Sequence, residues 1–139
     1  MINQVTVFLE NAEGRLAALT QTMAAANVNM KALSIADTAE YGVVRIICAD
    51  PEAAVAALDA AGYRAMKTPV SAIAISDVAG GLAKLMAIFD EANVDVQYGY
   101  CFSEAEAAIA VMKIAAADSV AVAEKVTAAG FKILAQADL

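Results

Sequence analysis

Residues 10–16 read Glu10-Asn11-Ala12-Glu13-Gly14-Arg15-Leu16, and residues 76–82 read Ser76-Asp77-Val78-Ala79-Gly80-Gly81-Leu82. They are two versions of one segment, with Gly80 following Gly14 by 66 positions (80 − 14). At the same spacing Leu19 falls on Leu85, Ala26-Asn27-Val28 on Ala92-Asn93-Val94, and Ala39-Glu40 on Ala105-Glu106. Ala61-Gly62-Tyr63 answers to Ala129-Gly130-Phe131 at a spacing of 68 (130 − 62), so two residues are inserted before the last helix of the second copy. Self-similarity over such a period marks a repeated supersecondary unit. The chain is read as two copies, 1–68 and 69–139, joined near Thr68-Pro69.

Each copy changes its hydrophobic period in a fixed order. Val5, Val7 and Leu9 alternate with Thr6 and Phe8, a strand pattern. Gly14 then opens a helix carrying Leu16, Leu19 and Met23 on one face, closed by Asn27. Strands are expected over 28–35 and 43–48, with Tyr41-Gly42 ending the hairpin between them. Asp50-Pro51 signals a second helix, with Asp at the N-cap and Pro at the first helical position. That helix carries Val55 and Leu58, stops at the C-cap glycine Gly62, and is followed by a short strand over 63–67. The second copy repeats the order: strand 71–75, a helix with Leu82, Leu85, Met86 and Phe89, strands 94–102 and 107–114, a helix capped by Asp118, and a strand over 131–134. The result is βαββαβ twice, an α+β protein of two ferredoxin-like units in tandem, with antiparallel sheets and helices on one face. The strand 43–48 is apolar on both parities, so its second face also needs a cover. This predicts pairing of units and a homodimer.

The inventory excludes much chemistry. The 139 residues carry Lys+Arg 9 against Asp+Glu 16, net −7, with His absent and only two Cys. No imidazole is present for a triad, a general base or a metal site, and no cofactor or metal is expected. The basic residues form no stripe and the charge opposes a polyanion, so no nucleic acid is expected as partner. No apolar run is long enough for a bilayer, and residues near the N-terminus lack a basic region, so no membrane and a cytoplasmic location are expected. Cys48 aligns with Ile114 and Cys101 with Ile35, which reads both thiols as core residues. Tyr98, Tyr100 and Phe102 form an aromatic stripe at strand spacing, read as an interface or a ligand wall.

Chemistry concentrates at the turn after the first strand of each copy. Glycine lets the backbone bend tightly and lets a ligand approach, and the amides after it are the orphan donors of a helix N-terminus. With the helix dipole they suit a small carboxylate. Asn11 or Asp77 adds an acceptor for an ammonium group, and Asn29 or Asp95 begins the next strand. Together these match a zwitterion, an amino acid. On the residues alone, a plain N-cap and turn is the simpler reading.

The sequence Glu-Asn-x-x-Gly-Arg-Leu after a strand, a helix ending Ala-Asn-Val-Asn, and then Tyr-Gly-Val-Val-Arg resembles an ACT domain. The whole chain, from Gln4 to Leu134, resembles the small tandem ACT-domain proteins, regulatory modules that bind amino acids without catalysis and lie beside enzymes of amino-acid metabolism. The resemblance implies a ligand site between two units. Carried onto this chain, it comprises Asn11, Ala12, Glu13, Gly14, Arg15 and Leu16 with Asn29 and Met30. In the second copy it comprises Asp77, Val78, Ala79, Gly80, Gly81 and Leu82 with Asp95 and Val96, and Tyr98 is added as a ligand wall. The partners implied are a small-molecule amino acid, a second copy of the chain and a metabolic enzyme; the alternative is a ligand-free assembly subunit. The family's Pro before the glycine is replaced here by Glu13 and Ala79, which removes turn preorganisation. The extra carboxylates Asp77 and Asp95 make the second site the weaker one for a carboxylate. An acylphosphatase-like enzyme would want Arg and Asn at the first loop, which Arg15 and Asn11 meet loosely. A heavy-metal carrier would need a Cys-x-x-Cys that is missing.

Overall fold

The computed structural model describes residues 1–10, 12–37, 41–104 and 107–139. In chain order the elements are β1 (Ile2–Glu10), α1 (Arg15–Ala25), β2 (Met30–Asp37), β3 (Tyr41–Cys48), α2 (Pro51–Ala60), β4 (Arg64–Ser76), α3 (Gly81–Glu91), β5 (Val96–Glu104), β6 (Ala107–Ile114), α4 (Ser119–Ala128) and β7 (Lys132–Ile133). Contacts divide the chain into a first unit, Asn3–Thr68 with Leu139, and a second, Met1–Ile2 with Pro69–Asp138. The ferredoxin-like βαββαβ order occurs in both.

In the first unit the strand order is β2-β3-β1-β4, with β3 antiparallel to both β1 and β2. The period of two along β1 turns Val5, Val7 and Leu9 to one side, and the register Val5↔Ile46 and Val7↔Val44 sets β3 residues beside them. Leu19 and Met23 of α1 and Ala54 and Leu58 of α2 close over this face, completing the core with Cys48. The hairpin residues 38–40, between β2 and β3, lie outside the described residues. Helix α1 ends on Asn27 in the left-handed region (φ 56), and the Val28 amide reaches back to the Met23 carbonyl at 3.0 Å. Asn93 does the same after α3, with φ 53 and the Val94 amide 3.0 Å from the Phe89 carbonyl.

The second unit has the order β5-β6-β4, with β7 on the other side of β4, and all three pairings are antiparallel. Ile73, Ile75, Ala110, Met112 and Ile114 meet Leu85, Phe89, Val122 and Val126 in its core. The short strand expected over 63–67 and the one expected over 71–75 are a single strand, β4, running without a break through Thr68-Pro69. Pro69 lies two residues before the pairing of β4 with β6, which starts at Ser71. The last strand is shorter than expected, Lys132–Ile133 only.

Several positions depart from the expected burial. Leu16 and Leu82, placed on the core faces of their helices, are 37% and 40% exposed, while Leu19, Met23, Leu85 and Phe89 are buried. Each exposed leucine follows its glycine turn, one turn ahead of the sheet-facing residues. Cys48 is buried as expected, and that burial pushes its thiol pKa up. Cys101 is exposed. It pairs with the core residue Ala110, but it stands on β5, which ends the strand order, whereas the core is built on the inner strands β4 and β6. Its counterpart Ile35 on β2 is exposed for the same reason. Ile114, the counterpart of Cys48, is buried as Cys48 is, so isoleucine marks a covered position on the inner strands and not on the last strand of the sheet.

The two acidic caps also differ. Asp50 Oδ1 accepts the Ala53 amide at 2.9 Å, with Pro51 at the first helical position. Asp118 makes no side-chain cap. It sits in helical backbone (φ −90, ψ −13) inside the 3₁₀ turn Ala116–Asp118, in place of the extended backbone that an N-cap residue takes. Asp50→Ala is therefore expected to cost about 1 kcal/mol in urea denaturation, and Asp118→Ala less than about 0.5 kcal/mol. Equal losses would contradict the geometry. Among the described residues no helix is long and apolar enough to cross a membrane.

Candidate functional site: the glycine turns

Both turns are built alike up to the glycine. In the first unit β1 ends at Glu10, whose carbonyl accepts the Ala12 amide at 2.9 Å, and the Arg15 amide reaches the Ala12 carbonyl at 3.3 Å. Gly14 is the N-cap of α1 in the left-handed region (φ 80, ψ −11), a conformation that costs an L side chain roughly 1–2 kcal/mol. A Cβ built there would meet nothing within 4 Å, so the turn opens onto free space. The Gly14 carbonyl accepts the Ala18 amide at 3.0 Å. Among the described residues the amides of Leu16 and Ala17 have no backbone acceptor, and the first turn of α1 contains no acidic residue. Gly80 repeats the conformation at φ 88, and the amides of Leu82 and Ala83 stand in the same situation. Each turn can thus present donors and a helix dipole to a small anion.

Beyond the glycine the turns diverge. Arg15 is exposed and its Nη2 lies 2.5 Å from Glu10 Oε2, an ion pair across the turn with side-chain exposures of 46% and 72%. The carboxylate beside it raises the guanidinium pKa further. An exposed pair of this kind contributes little to stability, because solvent screens it. The corresponding residues of the second unit are Ser76 and Gly81. A Cβ at Gly81 would stand 2.1 Å from the Ser76 carbonyl oxygen and 3.2 Å from its carbon, so α3 starts hard against the end of β4. Here glycine is required by space; at Gly14 and Gly80 it is required by backbone angle.

Two grooves flank the Glu10–Arg15 pair, which forms a wall common to both. One, of about 160 Å³, is lined by Ala12, Leu16, Ile35 and Val44 and is largely apolar. The other, of about 270 Å³, lies toward the α2–β4 turn and is lined by Phe8, Tyr63 and Arg64. The Arg64 guanidinium carbon sits 5.3 Å from the Phe8 ring centroid.

Of the expected site residues, Ala12, Glu13, Gly14, Arg15 and Leu16 are exposed together at the first turn, and Asn11 lies outside the described residues. Asp77, Val78, Ala79, Gly80 and Leu82 are exposed at the second turn, while Gly81 is buried. The structure does not bring Asn29 and Met30 to the turn of their own unit. Glu10 pairs with Tyr41 at one end of the sheet, and Met30 pairs with Cys48 at the other. Asn29 instead lines a groove of about 350 Å³ with Asn27, Lys31 and Asp50. Asp95 and Val96 are likewise remote from their own turn, since Val96 pairs with Ile114 and Ser76 with Ala107. Tyr98 is half-buried, opposite Lys113, just after a register shift in β5. Sequence reasoning missed the Glu10–Arg15 pair, for which an acid and a base five residues apart across a glycine turn were the signal. It also missed the demand for Gly81, signalled by the doubled glycine, and the cation–π contact of Arg64 with Phe8, which no local pattern announces.

Compared with known families, the sequence matches the one described as ACT domain pair over residues 1–138. Among solved structures, protein BT0572 from Bacteroides thetaiotaomicron is 32% identical, covering 99% of this chain and 94% of that one with a TM-score of 0.90. The regulatory subunit of aspartate kinase from Thermus thermophilus, in its ligand-free form, is 16% identical with 92% of each chain covered and a TM-score of 0.69. That from Thermus flavus is 16% identical, covering 93% of this chain and 94% of that one, with a TM-score of 0.61. No curated protein matches the sequence.

Proposed function

Because the chain belongs to the ACT domain pair family, we propose that it is a non-catalytic regulatory protein that binds a small amino acid at its glycine turns, with one ACT unit over 1–68 and a second over 69–139. The observation that carries this reading is the open left-handed turn at Gly14, repeated at Gly80, followed in each case by amides that have no backbone acceptor among the described residues. A ligand carboxylate takes these donors at the N-terminal end of α1, where no acidic side chain competes in the first turn. In this proposal Asn11 or Asp77 receives the ammonium group, and Asn29 and Met30, or Asp95, Val96 and Tyr98, supply a second wall. Because each strand start lies at the far end of its own unit, the second wall comes from another ACT unit, and a homodimer is one way to supply it. Binding then orders that contact, and a partner metabolic enzyme in the cytoplasm reads the change.

A thermal-shift screen of the twenty amino acids tests this directly. One or two are expected to raise the melting point, and saturation at about 100 times Kd corresponds to about 2.7 kcal/mol of added stability. Gly14→Ala is expected to remove more of that response than Gly80→Ala, since the second turn carries Asp77. A greater loss from Gly80→Ala rejects the ranking. If no amino acid shifts the folded wild-type protein, the sensor reading fails and the ligand-free assembly subunit takes its place.

A further inference from the structure

Arginine is scarce in this chain: Arg15, Arg45 and Arg64 are its three, against sixteen acidic residues. Two of the three line one groove of about 270 Å³ at the end of the first unit, together with Phe8, Glu10 and Tyr63. We infer that this groove binds a small monocarboxylate through Arg64 and Arg15, at a place apart from the amides that follow Gly14.

Arg64 is exposed, its guanidinium lies over the Phe8 ring at 5.3 Å, and among the described residues it has no carboxylate partner. The guanidinium carries its donors in one rigid plane, the arrangement that meets a carboxylate with two parallel hydrogen bonds. Arg15 gives one nitrogen to Glu10 and keeps its other donors. Two guanidinium groups against one carboxylate leave a single positive charge in the groove, and one ligand carboxylate cancels it. A doubly charged anion would overshoot, in a chain already at −7. The site belongs to the first unit alone. At the repeat spacings Phe8, Glu10, Arg15 and Arg64 become Ala74, Ser76, Gly81 and Lys132, which removes the aromatic ring and both guanidinium groups.

The inference rests on side chains and does not depend on the amide-turn reading, so the two can fail separately. Full-length protein labelled with ¹⁵N is titrated with sodium acetate, with sodium chloride at equal ionic strength, and with inorganic phosphate. The amides of Gly62, Tyr63 and Arg64 and the arginine Nε–H groups are followed. Acetate is expected to give saturable shifts there. Arg64→Ala should weaken binding about tenfold or more, and Arg64→Lys should restore only part of the loss. Gly14→Ala is expected to leave the acetate response in place even where it abolishes an amino-acid response. Shifts that do not saturate, shifts matched by chloride, or full affinity in Arg64→Ala would overturn the site. Tighter binding of phosphate than of acetate would overturn the ligand class, and loss of the acetate response in folded Gly14→Ala would overturn its separation from the turn.

Discussion

Replacing Gly81 by Ala is expected to destabilise the second unit by about 3 kcal/mol, although a single methyl is added at a helix start. The methyl would stand 2.1 Å from the Ser76 carbonyl oxygen, and the obstacle is backbone, with no flexible side chain to swing aside. Either α3 slides outward, unseating Leu85 and Phe89 from the core, or β4 yields at Ser76, where it pairs with Ala107. Gly14→Ala is the informative contrast. Its added carbon meets nothing within 4 Å, so only the cost of the left-handed backbone remains, about 1–2 kcal/mol. Urea denaturation of the two variants should show the larger loss at Gly81. Equal losses would mean that α3 does not start as close to Ser76 as described.

Phe89→Ala should be costlier still, about 3–5 kcal/mol. Phe89 is 2% exposed, the largest fully buried side chain among the described residues, and lies among Ile73, Ile75, Ala110 and Met112. Truncation removes its transfer free energy and leaves a cavity that β4 and β6 cannot fill without breaking register. Leu82→Ala on the same helix is the control. At 40% exposure it should cost less than about 1 kcal/mol. Calorimetry that finds the two variants alike would show that α3 presents a different face to the sheet.

Much of this was legible because the determinants are local. A period of two in Val5, Val7 and Leu9, the Asp50-Pro51 helix start and the stop at Gly62 each act within a few residues, so β1, α2 and the end of α2 stand where the pattern puts them. Repetition then fixed the order of elements, since a strand or helix read once could be read again 66 positions on. What escaped depends on distance through space. Whether Ile35 and Cys101 are covered is decided by their strands standing last in the sheet order, and pairing order is not written in either strand. Asp118 has the composition of a cap, but the 3₁₀ turn before α4 gives it the wrong backbone angles. At the site, the glycine turns were visible as turns, and the βαββαβ order already set Asn29 and Asp95 away from the turn of their own unit, as the registers of β2 and β5 have them. The meeting of Phe8 with Arg64 joins residues 56 apart (64 − 8), which only the alignment of β1 with β4 brings about.

The close approach at Gly81 bears on how freely each half of the molecule can be altered. Any side chain at that position collides with the main chain, so the second turn offers few neighbouring sequences that still fold. Around Glu10 and Arg15 the side chains are solvent-facing and their mutual attraction is weak, so substitutions there are nearly free energetically. Laboratory re-tuning of ligand preference therefore has one permissive half and one rigid half to work with, and randomised libraries belong in the former.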